Sequence, residues 1–162
     1  MGNSGGALTA RSTGELHPLM RAAGFTGIDG TQTLADGWQV TDFADAGRRS
    51  LANLVEKTGA PAVMVCFLDS DLGVVEALTP DGTGWKGLLN RQMADGYEIP
   101  LGKFPVEPAV AGALAWSAAA GLTPDEETVR QTLTGSALFA EELSTTLLTA
   151  LGVPGAGWPP VA

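Results

Sequence analysis

Asp69, Ser70 and Asp71 follow directly on the apolar run Ala62 to Leu68. Two carboxylates one residue apart at a strand end could hold a divalent cation that bridges a diphosphate, or work as an acid and base pair. Glu76 and Asp81 lie close behind and extend the same candidate set. An Asx-type turn places aspartates in the same way without any chemistry. A calcium loop does not fit, because Leu72-Gly73 follows where further oxygen ligands and a closing glutamate are needed. The other reactive residue types are scarce. His17 is the one histidine and Cys66 the one cysteine. This leaves no two-histidine zinc site, no Ser-His-Asp triad with a scaffold around it, and no intrachain disulfide. Cys66 lies inside the apolar run and is expected to be a small, unreactive core residue.

Three strings resemble known motifs in spelling. An apolar strand leading into Asp69-Ser70-Asp71 resembles the metal and nucleotide-sugar motif of many glycosyltransferases, which would imply metal-dependent transfer. Those enzymes build a larger nucleotide-binding sheet first, whereas some 60 residues precede the motif here and the likeness covers about nine. Gly82-Thr83-Gly84-Trp85-Lys86-Gly87 matches G-x-G-x-x-G. A dinucleotide fingerprint must join a strand to a helix, and here the first glycine completes a Pro-Asp-Gly turn. Asn3-Ser4-Gly5-Gly6 is similar to the serine-protease Gly-Asp-Ser-Gly-Gly, but it falls in a polar terminal stretch with no partner histidine beside it.

The chain of 162 residues carries 18 acidic and 9 basic side chains, a net charge of −9. Such a field repels phosphate backbones and anionic lipids, so nucleic acid and membrane surfaces are excluded as partners and a basic protein is favoured. Only Arg48 and Arg49 are adjacent among the bases. No apolar leader is legible at the start, and the uncharged stretch from Ala109 to Pro124 is too short and too rich in Ala and Gly to span a bilayer. A cytoplasmic location is the expectation.

The elements that must position these residues follow from periodicity and punctuation. Residues 1–12 and 152–162, rich in Gly or in Pro and Gly, read as flexible tails around a single α+β domain over 13–151. Helices are expected over 14–23 and 43–57, the second with Asp42 or Asp45 at its N-terminus and Gly59 as its stop. Residues 26–37 read as loop, with a short strand at 38–40. Strands at 62–68, 72–78 and 84–89 with tight connections make a three- or four-stranded antiparallel meander flanked by helices. The last third is helical: a short helix over 90–96, an extended link over 100–108, a helix from Pro108 to about Ala120, a capped helix after Thr123-Pro124, and a final helix after Ser136. In that last helix Phe139, Leu143, Leu147 and Leu151 recur every four residues.

Between residues 62 and 101 six acids face two bases. The expected partner-binding set is therefore a negative rim of Asp69, Asp71, Glu76 and Asp81 around Trp85 and Tyr97, which suits capture of a basic protein. The same residues also fit a solvated surface around a buried Trp85. The resulting expectation is a small acidic non-enzymatic binding protein of the immunity or inhibitor type, neutralising a basic partner such as a toxin, with no cofactor or metal. Two alternatives stay open. One is a small-ligand-binding protein or a carboxylate- or metal-dependent enzyme using the 69–81 turns. The other is a homo-oligomeric accessory domain whose Ala-rich helix at 108–120 packs against its own copy.

Overall fold

A computed structural model describes residues 2, 4–44 and 48–156. Its centre is one antiparallel sheet of six strands, β1 (Gly6–Arg11), β2 (Thr26–Thr33), β3 (Trp38–Ala44), β4 (Ala62–Leu68), β5 (Leu72–Leu78) and β6 (Gly84–Leu89), in the order β2-β3-β1-β4-β5-β6. The architecture is α+β, and the meander is its right half. The expected sheet of three or four strands is corrected to six because two segments lacked a strand-like pattern. Residues 6–11, expected in the N-terminal tail, pair on both sides with β3 and β4, with Leu8 and Ala10 fully buried. Small residues hid this strand, since Gly and Ala carry little strand propensity. Residues 26–33, expected as loop, form an exposed edge strand paired only with β3 and interrupted by irregular register. Gly27 and Gly30 there have positive φ, so no clean alternation survives in the sequence. On this edge Asp29 faces Asp42 across the ladder. Desolvation, and then the Asp29 charge, raise the Asp42 carboxyl above its usual range.

The second helix also moves. Strand β3 runs on to Ala44, with Phe43 set edge-to-face on Phe25 at 5.0 Å. Helix α2 begins only at Leu51 and ends at Thr58, capped by Ser50, whose Oγ accepts from Asn53 N at 3.1 Å. Asp42 lies in β3, and Asp45 falls outside the described residues. Helix α1 (Leu16–Ala22) and α2 cover one sheet face through Leu8, Met20, Leu54 and Met64.

Helices α3 (Val106–Ala119), α4 (Glu126–Thr134) and α5 (Ala140–Leu151) cover the other face continuously. Val63, Val65 and Phe67 of β4 point into that core, with Trp38 and Trp116 set edge-to-face at 6.1 Å. On the opposite face of β4, expected to be buried as well, Met64 is buried but Cys66 and Leu68 are only half-buried. The link over 100–108 contains a 3₁₀ turn at Leu101–Lys103 and the start of α3. The C-terminal stretch is packed as far as it is described: Val153 and Ala156 join the core, and Ala35 N donates to Pro154 O at 3.3 Å.

Candidate functional site

The meander presents two turns. Asp69 and Ser70 between β4 and β5 both have positive φ, a conformation Asp tolerates through local hydrogen bonding and Ser less readily. Both carboxylates of this turn are held. Gly2 N donates to Asp69 Oδ1 at 2.8 Å, and Tyr97 Oη donates to Asp71 Oδ2 at 2.7 Å. That bond, with desolvation and the charges of Asp71 and Asp69, pushes the Tyr97 phenol up to about 12. The turn also grips the helical layer: Ala140 N donates to Ser70 O at 2.7 Å, and Ser70 Oγ donates to Glu141 Oε2, also at 2.7 Å.

A third group completes this node. Asn90, only 2% exposed, follows β6 with φ of 62°. Its Nδ2 donates to Asp71 O at 2.6 Å and to Ala137 O at 3.0 Å, while its Oδ1 accepts from Ala137 N at 3.1 Å. The loop between α4 and α5 is therefore fixed at Ala137 by Asn90 and at Ala140 by Ser70. Between those points Leu138 and Phe139 are 79% and 52% exposed. Phe139 N donates to Glu142 Oε2 at 3.2 Å, which holds the tip from inside the next helical turn. Met93, also exposed, lies on the 3₁₀ helix Arg91–Tyr97 and is tied to Asn90 through its amide at 2.9 Å. The two exposed apolar side chains thus stand on a loop held at both ends, with Ser70 anchoring Ala140 and Glu142 anchoring Phe139.

The remaining expected site residues are dispersed. Asp81 sits at the opposite end of β5, roughly 20 Å away at about 3.3 Å per residue. Its carboxylate accepts from Thr79 Oγ1 and from Thr83 N, and these bonds hold it below the usual carboxylate range. Glu76 pairs in register with Lys86 on the face away from the core. Trp85 is 7% exposed and lies beneath α3, where a Cβ at Gly112 would come within 2.5 Å of it. Of the two readings of Trp85, rim aromatic or buried residue, the structure has the second: Trp85 pairs with inward-facing Ala77, so the strand alternation points it into the core. Asp69, Asp71 and Tyr97 do come together; Glu76, Asp81 and Trp85 do not join them. The G-x-G-x-x-G string spans a turn and the start of β6, and β6 leads into the 3₁₀ helix Arg91–Tyr97 rather than into the α-helix of a βαβ unit. Among the described residues no group of three or more His, Cys, Asp or Glu side chains could hold a metal, and no helix is long and apolar enough to cross a membrane.

Leu138 was hidden in the sequence and Phe139 misassigned. The four-residue spacing of Phe139, Leu143, Leu147 and Leu151 enrolled Phe139 in the buried stripe, but α5 begins one residue later and Ala140 takes the inward position. The usable signal is a pair of large apolar residues directly after Gly135-Ser136-Ala137, where a loop is due.

A second feature lies on the face of α1 and α2. Between the apolar cluster under those helices and a smaller one formed by Leu72, Leu88 and Ala94, the sheet is left open. The resulting cleft of about 730 Å³ has Met64, Cys66, Leu68, Val74 and Glu76 among its lining, with Arg48 and Arg49 at its side. Cys66, expected in the core, is half-buried here, and Arg49 Nη2 donates to its Sγ at 3.2 Å.

Comparison with protein-family models, with curated proteins and with solved structures finds no match to this chain.

Proposed function

We propose that this chain is a non-enzymatic binding protein that captures a cationic protein partner, in the format of an inhibitor or immunity protein. Its contact surface is the braced tip of Leu138 and Phe139, with the carboxylates of Asp69 and Glu142 nearest its two anchors. The observation that supports the reading is the exposure of two adjacent large apolar side chains on a loop whose ends are both hydrogen-bonded to the node. A loop already ordered loses little entropy when a partner covers it, so its apolar area converts efficiently into affinity. The net charge of −9 sets the sign of the partner. Long-range attraction speeds encounter with a cationic surface, while the apolar pair governs residence time.

The test is a photoreactive benzoylphenylalanine placed at Phe139 in one variant and at Asp81 in another, each exposed to lysate of the source cells. A basic protein should be captured from position 139 and not from 81. With that protein purified, Leu138→Ser/Phe139→Ser should raise the dissociation rate about tenfold or more at unchanged melting temperature. Asp69→Asn/Glu142→Gln should lower the association rate and flatten its salt dependence. Equal capture from both positions, or a partner whose kinetics ignore both double variants, overturns the proposal.

A further inference from the structure

Another cleft, of about 520 Å³, opens at the end of the sheet where β1 stops and β3 begins. Its volume lies within the roughly 300–1,000 Å³ typical of small-ligand sites. Its walls are the end of β1 from Arg11, the β2–β3 turn at Asp36 and Gly37, and the segment that closes α2 at Thr58 and Gly59. Arg11 is the one base among them. Its guanidinium carbon stands 5.9 Å from the ring centroid of buried Trp38, and its Nη1 donates to Ala120 O at 3.2 Å. A half-buried guanidinium fixed by its face and one donor has further N–H groups with which to pair a carboxylate.

Asp36 is the one acid of the cleft. With Gly37 it forms a two-residue hairpin turn, in which φ is 57° and 84° and Trp38 N donates to Ala35 O at 3.1 Å. Positive φ at both central residues is the type I′ pattern that Asp-Gly favours. The turn is pinned on two sides, because Ser12 N donates to Gly37 O at 2.9 Å and Ala35 N donates to Pro154 O. It also lies along the Arg11 stem, where a Cβ at Gly37 would be 3.5 Å from Arg11 Cγ. Yet among the described residues Arg11 and Asp36 form no ion pair, with each other or with any other group. The third wall adds the carbonyl end of α2, whose negative pole favours a cation, and Gly59 at φ of 64° puts no side chain over it. A held base and a held acid that leave each other unpaired in one cleft fit a ligand that carries both charges.

We propose that this cleft binds a small zwitterion of the amino acid class, its carboxylate on Arg11 and its ammonium group towards Asp36 and the carbonyl end of α2. The site is independent of the loop at Leu138 and Phe139.

The native protein is titrated with glycine, γ-aminobutyrate and ε-aminocaproate, and the amides of Ser12, Gly37 and Gly59 are followed by NMR. Saturable shifts at these amides are expected with at least one of the three, and the tightest binder measures the spacing of the two charges. Butyrate and butylamine, with one charge each, should bind about tenfold more weakly, as expected for loss of one charge-assisted contact. Asp36→Asn keeps a residue that accepts positive φ, and it should raise the Kd of the zwitterion about tenfold without weakening butyrate. Arg11→Gln should abolish the shifts from both. Asp36 is exposed, so its variant tests the site even where Arg11→Gln lowers the melting temperature. The proposal is overturned if no zwitterion gives saturable shifts at tens of millimolar, if butyrate and butylamine match the zwitterions, or if Asp36→Asn leaves the Kd unchanged.

Discussion

The two turns of the meander draw on the same chemistry, Asp-Ser-Asp at 69–71 and Thr-Pro-Asp-Gly at 79–82, yet they have opposite relations to the rest of the molecule. The second satisfies itself. Thr79 and Thr83 bond Asp81, Gly82 N donates to Thr79 O at 3.0 Å, and the turn ends there. The first is knitted outward, to Gly2, to Tyr97, to Glu141 and, through Asn90, to the loop before α5. Acidic composition alone does not distinguish a solvated turn from a structural node. The partner groups decide, and they lie up to 71 residues away in sequence. A surface built on the first turn inherits the rigidity of the helical layer, whereas one built on the second has only local bonds to hold it.

The sharpest way to break this contrast is Asn90→Ala. It leaves the Ala137 amide and two carbonyls without their buried partner and places alanine at positive φ, so a loss of about 3 kcal/mol or more is expected in denaturant melts. Ser70→Ala should cost less, about 1–3 kcal/mol. Glu141 Oε1 is already buried without a hydrogen-bond partner among the described residues, and this variant strips the bond from Oε2.

A smaller effect is spectroscopic. Tyr97 is the only tyrosine, so alkaline ultraviolet titration reads it alone, and its phenol should ionise near 12 rather than near 10. A raised pKa means that its contribution to stability is complete below about pH 10 and is lost as pH rises towards 12. Asp71→Asn should bring the titration back towards 10. The smallest effect belongs to the other turn. The Asp81 carboxyl lies below its ordinary value, so its contribution is present above about pH 4 and fades as pH falls further. Asp81→Asn should flatten that part of the acid melting curve and change little at pH 7.

Much of the right half of the sheet was legible because β4 is one unbroken apolar run and the strands are separated by turns with strong local chemistry. Strands β4, β5 and β6 fall where the apolar runs and the Pro-Asp-Gly turn place them. The left half was illegible for the converse reason. Strand β1 is built from small residues whose burial depends on neighbours on either side, and β2 buries almost nothing. The site was partly legible. Asp69, Asp71 and Tyr97 are near one another in sequence and the structure brings them together, but a strand's two faces cannot be told apart without knowing which one the helices cover, so the sequence leaves Trp85 open between rim and core. Helical spacing erred in the other direction with Phe139, because a stripe of period four carries no information about the residue at which a helix starts.

The central claim is that the 69–71 turn and Asn90 brace the loop that presents Leu138 and Phe139. Native-state amide hydrogen exchange, resolved by residue, measures that bracing directly. Ala137 and Ala140 amides should be protected to a level approaching that of the β4 core, and Asn90→Ala should collapse the protection at Ala137 while leaving the 79–83 turn as it was. Exchange at Ala137 and Ala140 as fast as that of the freest surface amides in the intact protein would contradict the claim.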